Sequence, residues 1–327
     1  MSNTYTHPHT SAADVSTTLR QRLLNWTLRT VIKRRLRALP VEQEAIAQQR
    51  QRIEGLAQRF LPNDKRVVIK EGHLKDVAVE HITPTELAAD LPNHVVYYIH
   101  GGAFILCSPR THRGITAPLA RYTGCEVVAV QYRLCPEHPY PAAVSDVVSV
   151  YRALLETRDA RQITIAGDSA GGNLVLALLH AAREAGLPMP ASAVCLSPLT
   201  DLTGSGESIR TNIRHDVLLP GERMVELAKL YLDGAYIREP TASPLFGDFD
   251  GFPPMLFHVG DREILLDDSL RVIDKIRHSG GEAHCRIWPD LPHVFHAFSS
   301  YLPVAHQALQ EVADFMSARF KSAVASR

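Results

Sequence analysis

Ser169 stands in the run Gly167-Asp168-Ser169-Ala170-Gly171, between the β-branched segment QITIA (162–166) and NLVLALLHAAREA (173–185), which is rich in helix formers. On a tight strand-to-helix turn, small flanking residues relieve crowding and leave the serine hydroxyl in the open. A hydroxyl needs more than exposure to attack a carbonyl. It needs a base, an acid that orients the base, and N–H donors for the oxyanion that forms. The base candidates lie in Leu291-Pro292-His293-Val294-Phe295-His296, directly after the last expected strand. His293 is nearer the strand end, and His296 begins the next helix or packs beside it. Oxyanion donors are expected from His100-Gly101-Gly102-Ala103-Phe104, at the end of the strand HVVYYI. Gly101 and Gly102 would supply two N–H groups and Ala170 the third. The acid follows the strand PMLFHV, where Asp261 and Glu263 are both available.

These residues need a scaffold that brings distant strand ends together. RVVIKEGHLKDVAVEHI (66–82) alternates like two antiparallel strands, with a turn expected near Glu71-Gly72. From residue 94 the order becomes strand and helix in alternation. Strands are expected over 94–99, 126–132, 162–166, 193–196, 254–259 and 283–288. Helices are expected over 142–157, 173–185, 268–277 (capped near Asp267) and 304–320. Such alternation implies a mostly parallel sheet covered on both faces. Residues 201–240 interrupt it with helical sequence. Before the sheet, 15–39 reads as a helix with Arg20, Arg22, Arg29, Lys33, Arg34, Arg35 and Arg37 and no acid, and 41–60 as a polar helix. The basic helix is expected to dock on the domain with a solvated cationic face; the alternative left open is that it lies on an anionic membrane. Residues 1–14, including His7 and His9, read as a polar disordered tail.

Bulk composition narrows the classes further. With 35 basic and 35 acidic residues among 327, no global field favours nucleic acid. The five cysteines are scattered without metal-site spacing, which suits a reducing compartment. No transmembrane run or secretory signal is read, so a cytoplasmic protein is expected.

Three blocks of the sequence resemble the hormone-sensitive-lipase-like branch of the α/β-hydrolases, which includes bacterial carboxylesterases. They are HGGAF (100–104), VVAVQYRLCPEHPYPAAVSD (127–146) and GDSAGGNL (167–174), with ASPLFGDFDGFPPMLFHVGDREILLDDS (242–269) as a further match. The resemblance spans about residue 65 to 320. It implies an α/β-hydrolase fold with a mostly parallel eight-stranded sheet, helices on both faces and a helical cap. The core would comprise 65–200 and 241–322, and the cap 15–64 with the insertion 201–240. It also implies a serine carboxylesterase acting on small, short-acyl esters, with Ser169 as nucleophile, His293 as base and no metal or organic cofactor. Two departures stand out. Ala103 replaces the third glycine of HGGGF, at a cost of about 1 kcal/mol if the site needs positive φ. Where the family carries D-P-L-x-D, this chain reads Asp261-Arg262-Glu263-Ile264-Leu265; aligning the leucines puts Glu263 in the acid's slot, with Asp261 as the alternative. Asp168, Tyr132, Arg133 and Glu137 are read as structural. A lactonase or amide deacetylase would use the same triad, and a non-catalytic small-ligand receptor is the remote alternative. By analogy with relatives, a homodimer along the last strand is expected.

Overall fold

The computed structural model describes residues 18–61, 64–91 and 93–325. The tail expected over 1–14 lies outside the described residues. Eight strands form one sheet in the order β1-β2-β4-β3-β5-β6-β7-β8. They are β1 (Val67–Leu74), β2 (Val77–Pro84), β3 (Val95–Ile99), β4 (Glu126–Val130), β5 (Ile163–Asp168), β6 (Ser192–Leu196), β7 (Met255–Gly260) and β8 (Ala283–Trp288). β1 and β2 pair antiparallel, as do β2 and β4; every later pairing is parallel. The β1–β2 turn falls at Lys75-Asp76, three residues beyond Glu71-Gly72, at or near which it was expected. Gly72 is inside β1, where its missing Cβ makes room for the His81 ring on β2.

Both faces of the sheet are covered, which is why β3 to β7 are buried along almost their whole length and are mostly apolar. Alternate residues part to opposite sides. Val96, Tyr98, Val127 and Ala166 meet α4 (Arg113–Thr123) and α10 (Pro303–Ala325) through Ile115, Leu119, Leu309 and Met316. Tyr97, Ile99, Val128 and Ile165 face the other way. They join a cluster that includes Val147 and Tyr151 of α5 (Ala142–Leu155), Leu174 and Leu178 of α6 (Ala170–Glu184), and Val272 and Ile276 of α9 (Leu266–His278). Asp267 does not cap α9, which starts at Leu266 after Leu265. Its carboxylate accepts the Ser208 N–H at 2.8 Å, and Asp268 accepts those of Thr200 and Asp201 at 2.6 and 2.9 Å.

The segments outside the sheet lie over the C-terminal ends of its parallel strands. α1 (Leu19–Thr27) runs through a π-helical turn, Leu28–Ile32, into α2 (Lys33–Ala38), and α3 (Gln43–Phe60) comes next. A π turn takes up one extra residue and so rotates the side chains of α2 by about 100° around the axis. Lys33 thereby reaches the body of the protein, where its ammonium donates to the Asp216 carbonyl at 2.7 Å. On α3, Arg50 bonds the Ile105 carbonyl at 2.7 Å and the Glu137 carboxylate at 2.9 Å. The insertion contributes α7 (Ser208–Thr211) and α8 (Met224–Leu232) and no strand. Tyr231 of α8 stacks on Phe104 with ring centroids 3.8 Å apart, tying this helix to the glycine loop after β3.

Candidate active site

Four loops meet at the carboxyl ends of β3, β5, β7 and β8, where an open parallel sheet presents its ligand site. Ser169 is the single residue between β5 and α6 and holds φ 54°, ψ −119°, a conformation that L side chains rarely adopt. Its neighbours permit this. A Cβ on Gly171 would collide with the carbonyls of Ile99 and His100, and one on Gly167 with the carbonyl of Gly171. The turn is also pinned by its backbone: the Ser169 N–H donates to Leu196 at 2.9 Å, and its carbonyl accepts from Leu199 at 3.1 Å.

His293, in the loop after β8, sets Nε2 2.9 Å from the Ser169 Oγ. Its Nδ1 lies 2.6 Å from Glu263 Oε2, in the turn after β7. The other carboxylate oxygen, Oε1, accepts from the Ser197 hydroxyl at 2.7 Å and the Gly260 N–H at 2.5 Å. Glu263 and His293 are both buried. Burial opposes an imidazolium on His293, but the Glu263 charge and hydrogen bond outweigh it and hold the pKa above the ordinary histidine value. Asp261 is turned away: its Oδ1 accepts the Asp290 N–H at 2.9 Å and so shapes the loop that carries His293. His296 is buried in a 3-10 turn, and its Nε2 lies 3.1 Å from Nδ1 of His258 on β7 rather than on Ser169.

The loop after β3 corrects the expectation for Gly101. Its N–H donates to Asp168 Oδ1 at 3.1 Å and is not available to a substrate. Among the described residues, the N–H groups of Gly102, Ala103 and Ala170 have no protein acceptor. Ala103 does hold positive φ, at 54°, so it carries the strain that a third glycine would have avoided. Asp168 is the anchor of this loop. Oδ1 also accepts from the Tyr98 hydroxyl at 2.6 Å, and Oδ2 lies 3.2 Å from Nε2 of His112. Burial works against both charges, yet each supports the other: Asp168 sits below the ordinary carboxylate value and His112 above the ordinary histidine value. Tyr132 adds a bond to the His100 carbonyl at 2.8 Å, Arg133 pairs with Asp146 at 2.7 Å, and Glu137 with Arg50 at 2.9 Å.

Spacing along the chain does not reveal Ser197, Tyr98 or His112, because each acts through a contact made only in the folded sheet. The one signal for Ser197 is its place at the end of a strand adjacent to the serine strand. Because Asp168 positions the loop without touching a substrate, Asp168→Ala is expected to lower kcat about 100-fold with a smaller change in KM, the size of effect that a displacement of about 1 Å produces. Steady-state kinetics on p-nitrophenyl acetate check this, and an unchanged kcat would remove Asp168 from the loop's support.

Beside His293 and Glu263 opens a cavity of about 350 Å³, walled by Arg22, Trp26 and Arg29 of the N-terminal helix and by Val217 and Leu291.

With this geometry in view, the similarities to known proteins are consistent. Residues 96–297 match the model of a family described as alpha/beta hydrolase fold. An esterase of Acinetobacter venetianus is 40% identical over 259 residues, 79% of this chain and 84% of its own. An acetyl-hydrolase of Streptomyces hygroscopicus is 40% identical over 220 residues, 67% of this chain and 74% of its own. The crystal structure of an esterase from the bacterial hormone-sensitive lipase family superposes with a TM-score of 0.85 at 36% identity, covering 93% of this chain and 99% of that one.

Proposed function

The chain belongs to the α/β-hydrolase family, in its hormone-sensitive-lipase-like branch, and we propose that it is a serine carboxylesterase working through Ser169, His293 and Glu263. The observation that carries this reading is the unbroken chain of contacts from Ser169 Oγ through the His293 ring to the Glu263 carboxylate. His293 Nε2 takes the hydroxyl proton as Oγ attacks the ester carbonyl. The N–H groups of Gly102, Ala103 and Ala170 receive the oxyanion, and loss of one such donor costs ~2.7–4 kcal/mol in the barrier. His293 then returns its proton to the leaving alcohol. Water attacks the acyl-serine in the reverse sense, giving up a proton to Nε2, and the acid is released with Ser169 restored. Glu263 accepts the Nδ1–H of His293 and steadies the imidazolium formed in each half.

A short acyl chain is part of the proposal. Two features support it: the Phe104–Tyr231 stack behind the oxyanion loop, and the similarity to an acetyl-hydrolase. Across a p-nitrophenyl ester series, kcat/KM is expected to be highest at acetate to butyrate and to fall beyond octanoate. A maximum at dodecanoate or longer would contradict that pocket. Turnover of lactones or acetamides with none of esters would move the reading to those carbonyl classes instead. The five cysteines are free thiols, which supports a reducing, cytoplasmic setting. β8 closes the sheet order as an edge, the strand along which a homodimer would extend the sheet. Among the described residues no helix is long and apolar enough to cross a membrane.

A further inference from the structure

The N-terminal helix is docked on the domain by its polar side. The Gln21 and Asn25 side-chain amides donate to the Asp290 carbonyl at 2.8 and 3.1 Å, and Lys33 is buried on the carbonyls of Asp216 and Ile213 at 2.7 and 3.2 Å. Leu24, Leu28 and Leu36 also pack inward. The outward side of α1 is where apolar area accumulates: Leu19 is 83% exposed, Leu23 53% and Trp26 62%. These three fall within about 60° of one another on the helix surface. Arg20 flanks them on one side and Arg22 and Arg29 on the other, all exposed. From 19 to 38 the chain has no acidic residue at all. A stable soluble helix normally turns its large apolar residues inward; this one turns three of them out, and every charged residue of the helix is a cation.

We propose that α1 is a docking surface for an anionic lipid bilayer. Leu19, Leu23 and Trp26 enter the headgroup boundary, and Arg20, Arg22 and Arg29 pair with lipid phosphates. The charge pattern selects this occupant over a second copy of the chain, since two such faces meeting would bring guanidinium groups against guanidinium groups. It also selects lipid over the preceding segment, MSNTYTHPHTSAADVST, which has no apolar run to lay on the helix and only Asp14 to pair with its arginines. The position of the helix gives the contact a consequence. Arg22, Trp26 and Arg29 wall the cavity that reaches His293 and Glu263, so docking sets its mouth against the bilayer. That consequence, though not the docking itself, rests on the proposed esterase reading.

The fluorescence of the chain offers a direct probe. It has two tryptophans, and Trp288 is buried, so a change on adding vesicles reports Trp26. The full chain would be mixed with phosphatidylcholine vesicles, with and without about 30% phosphatidylglycerol. The expected result is co-sedimentation and a blue-shifted emission with the anionic vesicles, both weakened by salt, and neither with phosphatidylcholine alone. Leu19→Glu with Leu23→Glu is expected to weaken vesicle binding at least about tenfold while leaving hydrolysis of soluble p-nitrophenyl acetate unchanged. That retained activity also shows the variant to be folded. No binding of the wild type to anionic vesicles would overturn the proposal, as would binding that the double variant leaves intact. So would a concentration-dependent blue shift without lipid, accompanied by a dimer mass, since the face would then be covered by a second copy. Absence of ester turnover in the wild type would instead count against the esterase reading, and the vesicle result would stand separately.

Discussion

Ser169→Ala is expected to lower kcat for p-nitrophenyl acetate by about 10⁶-fold, the loss produced when the nucleophile of a serine hydrolase is removed. Oγ is the only atom deleted, and it is the atom that His293 Nε2 faces at 2.9 Å. Alanine fills the same turn with the same Cβ, so the backbone bonds of Ser169 to Leu196 and Leu199 persist. The fold, followed by circular dichroism, is therefore expected to survive. What remains is the oxyanion loop with an open carbonyl site, which alone gives about 10³–10⁴-fold over water. A fall of tenfold or less would mean that another group attacks the ester.

Glu263→Gln is expected to cost about 10⁴-fold in kcat, and the surroundings of the carboxylate say why. Ser197 Oγ and the Gly260 N–H both donate to Oε1, so the amide oxygen of a glutamine is drawn to that position. Its NH₂ is then left facing His293 Nδ1. That nitrogen must become an acceptor, the ring proton moves to Nε2, and His293 can no longer take the proton of Ser169. Asp261→Asn has no such effect, because the amide oxygen can still accept the Asp290 N–H. A change of about twofold is expected there, typical of a substitution that breaks no buried contact. The reverse ranking would make Asp261 the acid. The pH profile supplies a second reading. His293 must be neutral to act as base, and burial disfavours its charged form while Glu263 favours it more strongly. The acid limb of kcat/KM in the wild type therefore lies above the ordinary histidine value. In Glu263→Gln it is expected to move to lower pH, since burial remains and the opposing charge is gone.

Much of the fold is legible because β3 to β8 are short runs with turn residues or helix formers at their ends, and parallel pairing buries most of them on both faces. α4 is not legible in the same way. Arg113–Thr123 holds Gly114 and Pro118, which weaken any helical pattern, and it becomes a helix by packing Ile115 and Leu119 on the sheet. The hairpin turn escapes the sequence pattern because Gly72 looks like a turn residue, while its role is to admit the ring of His81. At the site, the residue types and their order along the chain point to Ser169, His293 and a carboxylate after β7. Which N–H groups of the glycine loop are free is a different kind of question. It depends on Asp168 taking the Gly101 N–H, a contact across two neighbouring strands that no local spacing encodes. The outward turn of Leu19, Leu23 and Trp26 is likewise invisible in periodicity alone. It arises from Gln21, Asn25 and Lys33 finding carbonyl partners in loops far along the chain.

Covalent labelling tests most directly whether Ser169 is a nucleophile activated by His293 and Glu263. The purified chain would be treated with a fluorophosphonate, weighed intact and mapped by peptide mass spectrometry. One adduct per chain is predicted, on the peptide containing Ser169, absent in Ser169→Ala and formed far more slowly in Glu263→Gln. An adduct on any other residue, or one that persists in Ser169→Ala, would contradict the account.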